Sequence, residues 1–310
     1  MGRPVPLFVR ENGMKKFIAM ILLLVLMTGS FGCGRRVDGF DYGSLSVESE
    51  NTTVETEEPV EATTEEITEP VIQVIEKYGN ILLTEKVSSE GYSGYFFVAE
   101  LEVKGSDEFG QGIHEKTAEE WQTYYSLSEE ERRWSSHLWG ECTQFQDTWE
   151  DATEFVGFTV NNPLEDAEWL QDANYSAIAM DKVQLEDYRK HVNILWSGQE
   201  DGTIRNLRIM TGYLDGDIRV QMTISFSGDK KNYQTGAAWA ESVEFAMEEC
   251  EVSDGNAGLL IIPKTKTNNY CSMDAYFVLN GALYHLHLVG KVGEEDAVSA
   301  VMNKILDIFS

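Results

Sequence analysis

Ile218-Arg-Val-Gln-Met-Thr-Ile-Ser-Phe226 alternates without a break between apolar and polar side chains. Ile218, Val220, Met222, Ile224 and Phe226 fall on one side of an extended chain and Arg219, Gln221, Thr223 and Ser225 on the other, so the segment reads as a strand with one buried and one wet face. A strand of that kind belongs to an antiparallel sheet, and the flanking residues supply the hairpins. Asp215-Gly216 joins it to Ile204–Leu214, and Asn280-Gly281 joins Asp274–Leu279 to Ala282–Gly290. Both dipeptides tolerate the positive φ that a two-residue hairpin needs. Asp254-Gly255 is a third turn signal, between Val243–Val252 and Leu259–Pro263. From Glu294 the period changes to that of a helix, with acids in the first turn and Val298, Val301, Met302, Ile305 and Phe309 on one stripe that should pack on the sheet.

Ahead of the sheet the pattern is mixed. Val74–Tyr78 and Ile81–Lys86 open the globular part, and the aromatic, β-branched run Tyr92–Val103 reads as a strand or hairpin. Three capping boxes follow, Thr117 with Glu120, Ser128 with Glu131 and Thr148 with Asp151, and each announces a short helix.

The N-terminal part carries an address rather than a fold. Lys15 and Lys16 precede the apolar run Phe17–Met27, which is too short for a membrane span of about 20 residues, and Thr28–Gly32 then leads to Cys33 in the order of an export signal. The segment resembles a bacterial lipoprotein signal. That resemblance implies cleavage after Gly32 and lipid on Cys33, including an acyl group such as palmitate. Residues 1–13 form an odd preface to this signal, and translation is expected to start at Met14. Residues 33–70 are rich in Glu and Thr and poor in large apolar side chains, which reads as a disordered acidic tether.

Fifty-three acidic residues against 24 basic ones give a formal charge of -29, which excludes the clustered positive field that nucleic-acid binding requires. Membrane association is therefore expected through the N-terminal lipid rather than through surface charge. Apart from Cys33 there are Cys142, Cys250 and Cys271. They lack CxxC spacing, so no metal site is expected, while export permits a Cys250–Cys271 disulfide beside the alternative of two unpaired thiols packed as small apolar residues.

The chemical motifs are incomplete. His114-Glu-Lys-Thr-Ala118 starts like a zinc-protease helix but has alanine where a second histidine must face the metal. Gly91-Tyr-Ser-Gly94 lacks one spacer of the hydrolase elbow. His285 and His287 project from one side of a strand, opposite to Tyr284, Leu286 and Leu288, and are expected on a solvated face. Trp134 to Cys142 is dense in large side chains and could shape a pocket, although Trp139, Trp149 and Trp169 read first as core anchors. No catalytic residue and no cofactor are expected.

Ala152-Thr-Glu-Phe-Val-Gly-Phe-Thr-Val-Asn-Asn-Pro163 and Ala275-Tyr-Phe-Val-Leu-Asn-Gly-Ala-Leu-Tyr284 resemble the opening and the close of a poorly characterised domain of unknown function found in Gram-positive surface lipoproteins and in anti-sigma-factor-related membrane proteins. The resemblance covers roughly half the chain. It implies an opening helix that ends in Gly-Phe, a strand that ends at proline, and a closing hairpin followed by a helix; it implies no catalytic residues.

The expected fold is α+β, an antiparallel curved β-sheet with a packed C-terminal helix and short helices preceding the sheet. Residues 14–32 are the signal, 33–70 the tether and 71–310 the globular domain, with 71–146 as its N-terminal part and 147–310 as sheet plus helix. The expected role is that of an extracytoplasmic, lipid-anchored, non-catalytic binding or sensing module for an unknown ligand or cell-envelope protein. A carrier of apolar cargo and a hydrolase with an unrecognised site are the alternatives.

Overall fold

A computed structural model describes residues 76–89, 92–133, 140–173, 192–240, 244–252, 256–263 and 270–309. The signal, Cys33, the tether and the Asp254-Gly255 turn lie outside the described residues, as do Gly91 and the stretch 134–139.

The alternating segment is strand β8 (Ile218–Ser227), paired antiparallel with β7 (Ile204–Asp215) and β13 (Ala282–Lys291). Outward from this centre the described sheet runs β10 (Phe245–Val252), β11 (Asn256–Pro263), β12 (Tyr270–Leu279), β13, β8, β7, β6 (Val192–Gly198) and β4 (Glu141–Gln146), with β5 (Gln171–Ala173) also on β7. A second sheet has the order β1 (Glu76–Tyr78), β2 (Ile81–Ser89), β3 (Tyr92–Glu100) and β9 (Asn232–Ala240). Every pairing between named strands is antiparallel.

The turns set these registers. Asn280 and Gly281 have φ of 50° and 75° between the paired Leu279 and Ala282, the conformation of a two-residue hairpin loop. The β7–β8 loop is Gly216-Asp217, one residue later than expected, because Asp215 already pairs with Ile218. Gly216 supplies the positive φ there.

Helix α1 is Gln111–Ser126, α2 Glu129–Arg132, α3 Trp149–Val156 and α4 Glu295–Phe309. Ser128 and Thr148 cap α2 and α3 as expected, each accepting from an amide three residues on. Thr117 does not cap α1. It lies inside that helix, donates to the Ile113 carbonyl and accepts from Trp196 Nε1 on β6, so its hydroxyl serves a buried contact rather than the first-turn amides. Helix α3 ends at Gly157 with φ of 86°, where a Cβ would meet the Gly110 backbone. Phe158 to Asn162 then forms no strand. Pro163–Asp166 instead forms a 3₁₀ turn capped by the Asn162 side chain, so the strand expected to end at this proline is not formed.

Both faces of the large sheet are covered. On one, Met222, Ile224, Leu286, Leu288 and Phe277 pack with Val298, Val301, Met302, Ile305 and Phe309 of α4, as the stripe requires. On the other, Leu259, Ile261, Tyr276, Val278 and Leu283 pack with Tyr78, Ile81, Leu83, Phe97 and Ala99 of the second sheet. The described fold is thus mostly antiparallel β-sheet with a C-terminal helix and shorter helices. The expectation of a wet polar side on β8 is corrected for half of it: Thr223 is 8% exposed and Ser225 5%, whereas Arg219 and Gln221 are half-buried.

Candidate functional site

On the face of the large sheet that meets the second sheet, strand alternation places Ser272, Asp274, Tyr276 and Val278 of β12 beside Val289, His287, His285 and Leu283 of β13. Next in line are Arg219, Gln221, Thr223 and Ser225 of β8, then Arg208 and Met210 of β7, and Asn193 of β6. A polar strip thus crosses the middle of the sheet.

Its centre is Asp274. One carboxylate oxygen, Oδ1, accepts from His285 Nε2 at 2.8 Å and from His287 Nδ1 at 2.8 Å. Asp274 and His287 are direct cross-strand partners, whereas His285 reaches Asp274 diagonally from its place opposite Tyr276. Accepting from both rings fixes their outer nitrogens, with His285 left with Nδ1 and His287 with Nε2 for other partners. Asp274 and His285 are each 6% exposed. The solvated-face expectation for this histidine pair is therefore corrected, and the reason is the second sheet, which Tyr276 links to His285. Its ring stacks on the His285 ring at 4.0 Å and meets Phe97 of β3 at 5.4 Å between centroids.

Burial works to raise the Asp274 carboxyl, but the charges and hydrogen bonds of His287 and His285 outweigh it and hold the group well below the usual carboxylate range. The two rings flank one oxygen instead of facing a shared centre, with centroids 6.4 Å apart. Among the described residues no group of three or more His, Cys, Asp or Glu is arranged to hold a metal ion. Two polar oxygens on the strip, Ser272 Oγ and Asn193 Oδ1, are buried without a hydrogen-bond partner among the described residues.

The other candidate residues are dispersed. Cys250 and Cys271 are free thiols, which corrects the disulfide. Cys250 pairs with Gly258 on β11, which lies against Tyr276 and Phe277, whereas Cys271 pairs with Gly290. The thiols are thus on non-adjacent strands and about 20 Å apart along the sheet, while a disulfide needs Cα atoms within about 7 Å. Burial pushes the Cys250 thiol up to about 11 and raises Cys271 as well, so both resist ionisation. Cys142 is buried on β4 and likewise pushed up to about 11 by burial. His114 bonds the Ser106 carbonyl through Nε2 at 2.9 Å, a loop tie near the start of α1. Trp149 is buried and donates to the Val160 carbonyl, and Trp169 carries Lys304 Nζ 3.4 Å from its ring centroid. The residue missed by sequence reading is Asp274, an acid in the otherwise apolar run Met273–Leu279.

Comparison with protein-family models, with known curated proteins and with solved structures returns no match to this chain.

Proposed function

We propose that this chain is a non-catalytic, exported binding or sensing module, held at the outer side of the cell membrane by lipid on Cys33 and set off from it by the acidic tether 33–70. In this reading the fold is of the α+β class and its large sheet is curved, and the module engages a polar ligand or a cell-envelope protein rather than nucleic acid. The resemblance to Gram-positive surface lipoproteins agrees with that setting, as does the charge of -29.

The observation that carries the reading is the polar strip, and within it Ser272 Oγ and Asn193 Oδ1, buried without partners among the described residues. A buried polar oxygen left without a hydrogen bond costs about 1–3 kcal/mol, and a sheet that served only as scaffold would gain by replacing it with an apolar side chain. Ser272 lies two residues from Asp274 on the same face of β12 and Asn193 lies on β6 towards the other end of the strip, and unsatisfied polar groups placed along such a strip are what a recognition surface offers. The same polarity argues against an apolar cargo on this face.

The test is native mass spectrometry of the lipid-bearing chain purified from its own membrane, wild type beside Asn193→Leu. A polar small-molecule or protein adduct on the wild type, reduced in the variant, is the expected result. A wild type that carries free lipid in addition to its covalent acyl groups, or that carries nothing, overturns the reading.

A further inference from the structure

We propose that Arg208, Asn193 and Phe145, at the end of the polar strip remote from the second sheet, form a binding site for a carboxylate that carries an N–H donor and an apolar side chain beside it, the chemistry of an acylated amino acid or a peptide C terminus. This rests on the binding reading and gives its ligand a chemical class.

Register brings the three residues together. Asn193 of β6 pairs with Phe145 of β4 on one side and with Met210 of β7 on the other, and Arg208 stands two residues from Met210, opposite Leu195. Direct cross-strand partners have Cβ atoms about 5 Å apart and diagonal ones about 7–8 Å, a gap that a long side chain bridges. The same face is closed by the second sheet over β11, β12 and β13. Towards β4 the cover thins: Leu283 on β13 is 2% exposed and Met210 on β7 7%, Asn193 and Arg208 are half-buried, and Phe145 is 51% exposed. A solute therefore reaches this end of the strip, whereas Asp274 at the other end is shielded.

The charge is supplied by Arg208. Among the described arginines, Arg132 donates to the Leu127 carbonyl, Arg133 pairs with Glu129, Arg205 lies 3.8 Å from Asp229 and Arg219 sits over the Tyr270 ring. Arg208 has no such partner among the described residues. The four nearest positions on its face, Leu195, Ser225, Asn206 and Met210, carry no carboxylate, and neither do the four diagonal ones. In a chain with 53 acidic residues against 24 basic ones, a half-buried guanidinium kept clear of every carboxylate is a cation held for an anion from outside, and its planar fork matches a carboxylate with two parallel hydrogen bonds.

Asn193 narrows the class. Its Oδ1 is buried without a hydrogen-bond partner among the described residues, and an amide oxygen only accepts, so it calls for an N–H or O–H and repels a second anionic oxygen. A ligand that satisfies both groups presents a donor next to its anion, which a fully ionised phosphate does not. The overall charge of -29 also disfavours anions of higher charge. Phe145, directly opposite Asn193, then offers an exposed ring to an apolar side chain on the same ligand.

The experiment is isothermal titration calorimetry of the full chain with N-acetyl-leucine, and with N-acetyl-leucinamide as the probe that keeps the N–H and the apolar side chain but lacks the anion. The acid is expected to bind at least about tenfold more tightly than the amide. Arg208→Gln is expected to abolish that preference, and Asn193→Leu to weaken the acid. Acid and amide bound alike, an unchanged acid affinity in Arg208→Gln, inorganic phosphate bound as tightly as the acid, or no binding of the acid at millimolar concentration overturns the proposal. If a variant does not fold, the comparison of acid with amide on the wild type decides alone. Native mass spectrometry separates this failure from that of the binding reading: an adduct on the membrane-purified wild type that persists in Arg208→Gln removes this site and leaves the reading standing, while a wild type that carries no adduct and binds neither probe removes both.

Discussion

Tyr276 and His285 are cross-strand partners whose rings stack at 4.0 Å, and the same histidine donates to Asp274 one strand position away on that face. The stack fixes the ring plane and the carboxylate fixes its rotation about that plane, so His285 has little freedom left. Asp274 is the member on which the arrangement depends, because both rings point at it.

Asp274→Asn is expected to destabilise the protein at pH 7 by about 2–5 kcal/mol, since it removes the buried charge that both rings face. The sign with pH follows from the depressed carboxyl. A group whose folded value lies below its unfolded one contributes stability that is fully present above the unfolded value, about 3.9 for Asp, and is lost as the pH falls below it. The gap between wild type and variant in urea titrations should hold from pH 7 to about pH 5 and narrow below pH 4. A gap that widens in acid would contradict the assignment.

Much of this cluster is legible in the sequence. Asn280-Gly281 announces a two-residue hairpin, and equal steps outward from that turn pair Asp274 with His287 and Tyr276 with His285. In the sequence the histidine pair alone stands out, however, and reads as solvent-facing because alternation distinguishes the two sides of a strand without saying what covers the second. That cover is the sheet formed by β1, β2, β3 and β9, whose last strand lies more than a hundred residues after the others and pairs with β3 by long-range contact. Local pattern carries no trace of such a pairing. Thr117 failed for a related reason: Thr-x-x-Glu reads the same at a helix start and inside a helix, and only the buried Trp196 indole decides between them.

Ser272→Ala is expected to stabilise the chain by about 1 kcal/mol, because Ser272 is 6% exposed and its hydroxyl is buried without a partner among the described residues. Thermal unfolding of the two proteins side by side measures this. A lower melting temperature in the variant would mean that the hydroxyl has a stabilising partner in the folded protein.

At the β12–β13 turn, Gly281→Val is expected to cost at least about 1–2 kcal/mol, since φ of 75° forces a β-branched residue into the left-handed region. A Cβ there would also lie 2.4 Å from Glu102 Cβ, in a segment whose amide already donates to the Gly281 carbonyl. Chemical denaturation should show the loss with an unchanged m-value.

On the opposite face, Ile305 of α4 is fully buried among the side chains of the large sheet. Ile305→Ala should cost about 2–5 kcal/mol, the range for a large-to-small change in a packed core. Calorimetry reads this as a fall in melting temperature, and an unchanged value would mean that α4 does not cover the sheet in solution.

The last prediction concerns the address. The apolar run Phe17–Met27 ends one short cleavage region before Cys33, and Gly32 supplies the small residue that a signal peptidase needs. A single acyl chain binds a bilayer only marginally, so stable attachment requires more than one chain on that cysteine. The protein's own charge offers no substitute, because a body at -29 is repelled by an anionic leaflet. Cys33→Ala is therefore expected to move the protein from the membrane pellet to the soluble fraction. Intact mass of the wild type should show a mature chain beginning at Cys33 and carrying acyl groups, and an unmodified Cys33, or a cut elsewhere, would remove the lipid anchor from the proposed function while leaving the Asp274 cluster untouched.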